Sequence, residues 1–508
     1  MVRKAILVVL AVLIAGGVAL LLYARSVLGS ENVRRTLEAQ LAAWTAQPVR
    51  IGSAGASLFP RVALQLNDLS IGNPAALAVE RVSVSTGLRG LFSRRIEDAE
   101  MVLRDGRVLL PAALTFREAA DEAASPEAEA SAGVVTIASI REISLENIEL
   151  VAGETSMTVD MQSALTGDRL DIPRLSAASA ATQLEASGAF TSISKLQGKF
   201  SVDADTLDLN ELVALASGVT SSEPGGTGRS AQAGTMDVAL DVTAQSGTFA
   251  GYQFSNLRAE VRAAPSRVVM NPVNLHTFGG TFAGTLQALT SSTVPAISLR
   301  GRIADIDVPA LAEAAGVAGS ITGTLAGSVD LNARGAAPDA LVQSARGTAA
   351  AAITDGEIPG LEMVRTVILA FGKPSGAPPA GSGSAFSSLG GDFTIEKGVV
   401  RTGNLAFMSR DFDMQGDAAL VVNSGALDAS VNVLLSKELT AQAGTDLRRY
   451  AQTDGRIILP ARITGTIGEP SITLDLAAAT RRALENELKH RAKSLLEELF
   501  RRKKGGGG

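Results

Sequence analysis

Enzyme chemistry near neutral pH usually starts from histidine, cysteine or paired carboxylates, and this 508-residue chain offers few such arrangements. It has no cysteine, which removes thiolate nucleophiles, thiolate metal sites and disulfides together. The absence says little about compartment. Its two histidines, His276 and His490, lie far apart in sequence, so a histidine-based triad or a zinc hydrolase centre is hard to assemble. His276 stands just before Phe278-Gly279-Gly280 and reads as a strand-end residue. His490 falls in a basic helical stretch and reads as a surface residue. Asp203, Asp205 and Asp208 form an acidic cluster that invites a calcium reading, but they lack the spacing and the closing glutamate of an EF-hand loop. Carboxylates alternating along a strand and into a turn account for them. Asp208 and Asp307 each precede a short helical pattern, where an aspartate serves as an N-terminal cap. No phosphate loop, dinucleotide fingerprint, HExxH or GxSxG sequence is present. The expectation is a protein that is not an enzyme, with no catalytic, metal or cofactor-binding residues.

Composition narrows the class further. The net charge of −6 lacks the basic footprint of a nucleic-acid binder, so no nucleic-acid partner is expected. Hydrophobic residues make up 46% but aromatics only 4%, so any core must be built from Val, Ile, Leu and Ala. The length allows two to four domains or one long repetitive body.

The elements that would position a working surface begin with an uncharged run from Ala5 to Tyr23, preceded by Arg3 and Lys4. At 1.5 Å per residue it spans roughly 28 Å, one hydrocarbon core, with Tyr23 at the interface. A cleaved signal peptide would have a shorter apolar region and a small-x-small site, and Tyr23-Ala24-Arg25-Ser26 is a poor one. The run reads as a retained transmembrane helix, with residues 1–4 as a cytoplasmic tip and the long remainder outside the cytoplasm. A second helix is expected over 26–46, where Val33, Leu37, Leu41 and Trp44 recur at helical spacing before Pro48. It either packs on the first strands or caps one end of the body.

From Val49 the period becomes two, as in Val62-Ala-Leu64-Gln-Leu66, Val82-Ser-Val84, Val238-Ala-Leu240-Asp-Val242 and Val431-Asn-Val433. Such runs have one apolar and one polar face, the mark of antiparallel sheets with one face in water. Asp105-Gly106, Asp355-Gly356, Lys397-Gly398, Ser424-Gly425 and Asp454-Gly455 read as turns between strands. Short helices are expected over Leu209 to Ala216, Pro309 to Ala315 and Leu361 to Phe371. Residues 200–212 weakly repeat in 301–311, each a strand ending in Asp followed by a helix start. The map is then a β-region over 48–116, a linker over 117–133, a second β-region over 134–217, a linker over 218–234, and a third β-region over 235–476 with a loop at 372–385.

Residues 48–111 resemble the N-terminal region of the AsmA family of Gram-negative envelope proteins. The residues that carry the likeness are Pro48-Val-Arg-Ile-Gly52, Phe59-Pro60, Val62 to Asn67, Asp68-Leu-Ser-Ile-Gly-Asn73, Leu88-Arg-Gly-Leu91 and the strand from Ile96 to Pro111. Later pieces are similar too: Phe278-Gly279-Gly280, Gly347 to Gly360, Phe393 to Gly398, Asp411 to Gly416, and Pro460 to Gly465 with Glu469-Pro470. Residues 115–235 depart most from the pattern. The resemblance implies an inner-membrane helix and a periplasmic body of repeated β-units, curled like the β-grooves of bridge-like lipid-transfer proteins. It implies a phospholipid or other acyl lipid as ligand and a part in outer-membrane lipid homeostasis. The alternative it implies is a scaffold or modulator of outer-membrane protein assembly. It supplies no catalytic residues.

The expected fold is therefore mainly β: a transmembrane helix, a long curled antiparallel sheet with short helices, and a C-terminal amphipathic helix. The residues expected to line a groove are Val62, Leu64, Leu66, Val82, Val84, Val238, Leu240, Val242, Val431 and Val433. An aliphatic face of this kind matches acyl chains, but the same pattern also builds an ordinary filled β-core. About 25 stacked strands would reach roughly 120 Å, short for a whole periplasm, so an envelope protein partner or partial reach is expected. Residues 477–504 switch to helical period. Leu484, Leu488, Leu495, Leu499 and Phe500 lie on or beside one face, and Arg501, Arg502, Lys503 and Lys504 close the helix. It reads as a membrane-surface helix or as a helix packed over the open end of the sheet.

Overall fold

The computed structural model describes residues 31–45, 47–57, 62–86, 95–96, 98–110, 136–137, 140–220, 236–289, 294–314, 316, 318–335, 338–359, 384–442, 452–453 and 455–475, with helical positions 477, 481, 488 and 492 beyond them. The expected transmembrane helix from Ala5 to Tyr23, the helix expected from Leu361 to Phe371, most of the three expected linkers and nearly all of the C-terminal helix lie outside these residues. Among the described residues no helix is long and apolar enough to cross a membrane. The chain divides into two units, Met1–Pro265 and Ser266–Gly508.

In the first unit, helix α1 (Glu31–Thr45) leads into β1 (Val49–Ser57), β2 (Val62–Ile71), β3 (Leu77–Thr86), β4 (Arg95–Ile96), β5 (Ala99–Leu110), β6 (Thr136–Ile137) and β7 (Ile140–Ala152). Then come β8 (Thr155–Thr166), β9 (Arg169–Ala178), β10 (Gln183–Ser192), β11 (Gln197–Asp208), helix α2 (Leu209–Thr220), β12 (Asp237–Phe249) and β13 (Tyr252–Ala264). The sheet order is β1-β2-β3-β5-β7-β8-β9-β10-β11-β12-β13, and β4 pairs with β6 in a ribbon of its own. Within the main sheet pairing is antiparallel except at two joints, β5–β7 and β11–β12, which are parallel, as is the β4–β6 ribbon. Parallel neighbours cannot be joined by a tight turn and need a long connection. Those two connections are where the sequence shows linkers, and the second begins with α2, which runs to Thr220 rather than ending at Ala216.

The second unit is a simpler meander. It runs through β14 (Arg267–Thr277), β15 (Gly280–Leu289), β16 (Ala296–Asp307), α3 (Val308–Ala314), β17 (Thr324–Arg334), α4 (Pro338–Ser344), β18 (Arg346–Ile358), β19 (Ser384–Glu396) and β20 (Val399–Met408). It continues through β21 (Phe412–Val421), β22 (Ala426–Leu435), α5 (Lys437–Gln442), β23 (Gln452–Thr453), β24 (Arg456–Thr466) and β25 (Pro470–Leu474). Its sheet is antiparallel throughout, from β14 to β22 in sequence and then β24 and β25. Helices α4 and α5 had no sequence expectation; at 7 and 6 residues they are too short to show a period. The repeat noted in the sequence holds as structure: β11 runs directly into α2 and β16 directly into α3.

Two of the expected turns are not turns. Asp105-Gly106 lies inside β5 and Asp355-Gly356 inside β18. Asp105 and Asp355 have positive φ, 53° and 52°, and so do Asp68, Asn147, Asn256 and Asp305 at matching places within other strands. Each is followed by an apolar residue or Gly and preceded two places earlier by an apolar one, as in Leu66-Asn-Asp-Leu69 and Ile303-Ala-Asp-Ile306. The left-handed residue lets the alternation step by three instead of two while the apolar side chains stay on one face. The strand bends at that point. Lys397-Gly398 and Phe278-Gly279 do close hairpins, with positive φ at both central residues as a tight turn requires.

Candidate functional site

The registers align apolar residues into rows that run from strand to strand across each unit's main sheet. In the first unit one row runs Ile51–Leu69–Val79–Gly106–Ile148–Val159–Ala177–Leu184–Ala204–Ala244–Leu257. The adjacent row runs Ala54–Leu66–Val82–Leu103–Leu145–Met161–Leu175–Ala186–Val202–Val242–Ala259. In the second unit, Leu286–Leu299–Leu331–Gly347–Ile395–Val400–Leu420–Leu427 form one row. Ile306–Leu325–Ile353–Leu389–Phe407–Met414–Val433–Leu459 form another.

The rows differ in how far they are covered. In the first unit every side chain of the Ile51–Leu257 row is buried. In the adjacent row the stretch from Leu103 to Val242 is only half-buried. In the second unit the row through Phe407 and Val433, both 0% exposed, belongs to a packed cluster with Phe412, Ile457 and Leu459. The row from Leu286 to Leu427 holds no buried residue. Short helices sit on the covered side: Val308 and Ala312 of α3 are buried, and the Thr440 hydroxyl of α5 accepts the Ile457 N–H at 3.2 Å.

The residues expected to line a groove divide accordingly. Leu66, Val82 and Val84 lie in a packed cluster beneath Leu37 and Leu41 of α1, with Leu64 at its margin. Val431 and Val433 lie in the packed cluster of the second unit. Val238, Leu240 and Val242 are half-buried on β12. Val62 belongs to β2, and its side chain lies outside the described residues. Of the residues singled out for a membrane-surface helix only Leu488 is described, at 66% exposed; Leu484, Leu495, Leu499, Phe500 and Arg501 to Lys504 are not.

On the apolar face several glycines stand opposite phenylalanines. Gly188, Gly247 and Gly356 stand directly opposite Phe200, Phe254 and Phe386. A Cβ on Gly188 would meet the Phe200 ring at 2.6 Å, and the other two would collide with their rings as well. Phe282 covers Gly284 and Gly301 in the same way. The strands approach closely where the glycine lacks a side chain, and the ring replaces the lost apolar cover. Four of the scarce aromatics thus stand where glycines let strands approach closely. In the second unit the row Gly284–Gly301–Val329–Ala349–Phe393 forms the centre of a concavity of about 830 Å³ across β15 to β19.

The opposite face is polar and ion-paired. Arg104–Glu146 and Arg107–Glu149 bridge β5 and β7, Lys199–Asp241 bridges β11 and β12, Arg300–Asp330 bridges β16 and β17, and Arg462–Asp428 bridges β24 and β22. Hydrogen bonds from Arg107 and Arg462 hold the Glu149 and Asp428 carboxyls below the ordinary range. Exposed pairs of this kind add little stability but keep this face in water. The acidic cluster is part of it. Asp203 accepts from the Thr243 hydroxyl at 2.5 Å, Asp205 from Gln245 Nε2 at 2.7 Å and Asp208 from the Thr248 hydroxyl at 3.0 Å, a ladder between parallel strands. Asp208 also caps α2, accepting the Asn210 N–H at 2.7 Å. His276 is exposed on β14 opposite Thr281. Among the described residues no group of His, Asp and Glu is placed to hold a metal ion.

The model of the AsmA family matches residues 137–405, more than half of the chain and parts of both units. The chain belongs to the AsmA family. The match takes in β7 to β11, where the likeness read from sequence is weakest, and does not extend to residues 48–111. No curated protein and no solved structure matches.

Proposed function

We propose that this protein holds acyl lipids along the apolar faces of its two β-units and carries them within the bacterial envelope, anchored in the inner membrane by Ala5–Tyr23 with its bulk in the periplasm. The observation that carries the reading is the pair of rows left half-covered, Leu103 to Val242 in the first unit and Leu286 to Leu427 in the second. Apart from Leu103 and Leu427, which pack against the two core clusters, these rows leave apolar surface half-open to an apolar guest. Burial stabilises an acyl chain by about 0.8 kcal/mol per CH₂. The force has no preferred direction, so a chain slides from one strand's Leu or Val to the next without breaking a specific bond. Family membership fits this reading, and the work asked of the protein is transfer rather than reaction.

The test uses photoreactive residues at Leu299 and Arg300, neighbours on opposite faces of β16. Leu299 should crosslink to phospholipid in cells and Arg300 should not, with phospholipid also found by mass spectrometry of the purified chain. Equal labelling at both positions, or no lipid at either, overturns the proposal.

A further inference from the structure

We propose that helix α2 is a displaceable plug on the apolar face of the first unit, latched by Glu211. The helix lies against β5, β7, β8 and β12. Those strands contribute Gly106, Ile148, Val159 and Ala244 to the wholly covered row, and β12 stands four places beyond β8 in the sheet order. A helix that reaches strands so far apart lies over the hollow of the curled sheet rather than beside one strand. One row further on, Leu145, Met161 and Val242 are half-exposed. Both rows are apolar on these strands, so the difference in cover there is assigned to the helix.

The attachment is narrow. Of the helix side chains described, Leu215 alone is buried, while Val213 is 58% exposed. The polar fixings gather at the first turn. The Ser179 and Thr182 hydroxyls, from the β9–β10 turn, donate to Glu211 Oε2 at 2.6 and 2.7 Å. Thr182 is itself 1% exposed and accepts the Asp208 N–H at 3.0 Å. A core helix would be held by an apolar stripe along its length. Among its described side chains only Leu215 is fully buried, and Glu211 takes the polar contacts from the β9–β10 turn, an arrangement that an entering apolar chain can displace by competing for the place of Leu215. That an acyl chain then takes the uncovered row rests on the function proposed above; the plug and its latch do not.

The chain's lack of cysteine permits a clean test on the full-length protein. Single variants Ala244→Cys, on the covered row, and Ile51→Cys, covered elsewhere in the same unit, are reacted with an apolar maleimide in chains carrying Glu211, Glu211→Ala or Glu211→Gln. The Ala244→Cys rate should rise about tenfold or more with Glu211→Ala and much less with Glu211→Gln, which keeps an acceptor oxygen, while Ile51→Cys stays slow throughout. An unchanged Ala244→Cys rate overturns the latch, and a matching rise at Ile51→Cys means general loosening and overturns it equally. In parallel, a diazirine-bearing palmitate should label the first unit more heavily in the Glu211→Ala chain and the second unit equally in both. No labelling of either unit in any chain, with the thiol rates as expected, leaves the plug standing and sinks the lipid reading.

Discussion

The residues that shape this protein most are six Asp and Asn at positive φ inside strands. Asp and Asn tolerate the left-handed region because their short polar side chains can bond locally, and two of them also meet across strands, the Asn147 side chain donating to Asp105 Oδ1 at 2.8 Å. A β-branched side chain does not. Asp305→Val should cost about 1–2 kcal/mol, the penalty for an L-residue held in that region, whereas Asp305→Gly should be close to neutral. Urea unfolding of both variants checks the difference, and equal stabilities would show that the backbone at Asp305 carries no strain. This feature was legible in the sequence and is easily misread. Asp-Gly serves a hairpin turn and a mid-strand bend equally well. What separates them is the flanking pattern, since Leu103-Arg-Asp-Gly106 and Ile353-Thr-Asp-Gly356 keep apolar spacing on both sides of the Asp with no polar break. Asp203, Asp205 and Asp208 were read correctly as strand and cap carboxylates, because their alternation matches the strand itself.

At the scale of elements, α1 secures the first strand. Among the described residues β1 pairs with β2 alone, so its outer edge has free backbone groups. At Ile51 the N–H donates to Glu38 Oε1 at 2.9 Å and the carbonyl accepts from Arg34 Nη1 at 2.9 Å, so an ion-paired couple one helical turn apart stands in for a neighbouring strand. Glu38→Ala should cost about 1–3 kcal/mol by leaving that N–H without its acceptor, and hydrogen exchange at the Ile51 amide should accelerate. Unaltered exchange would mean that water replaces Glu38 without penalty. Strands and their faces were readable from period-two runs such as Val238 to Val242. The parallel joints β5–β7 and β11–β12 were not, because strand direction is fixed by the path of the connection and not by the strand's own residues. Nor was it readable that Val431 packs inside a core while Val242 stays half-open, since that depends on which other parts of the chain pack against each strand.

For the molecule as a whole, the two units use one plan, each with a covered row and a half-covered one. A carboxylate in a half-covered row puts an unpaired charge beside an acyl chain, which is strongly unfavourable. Val242→Glu should therefore remove lipid from the first unit and Leu299→Glu from the second, with additive losses in the double variant. Counting bound lipids by native mass spectrometry checks this, and unchanged counts would place the lipid elsewhere.

The meander of the second unit has one more consequence. Each hairpin contributes two residues to every row and meets its neighbours only along its two outer strands. Duplicating or deleting a hairpin would change the length of the apolar track by about 10 Å while leaving the phase of every other strand intact. Track length is thus an inheritable dimension that sequence can adjust in whole hairpins, independently of the aliphatic chemistry of the wall.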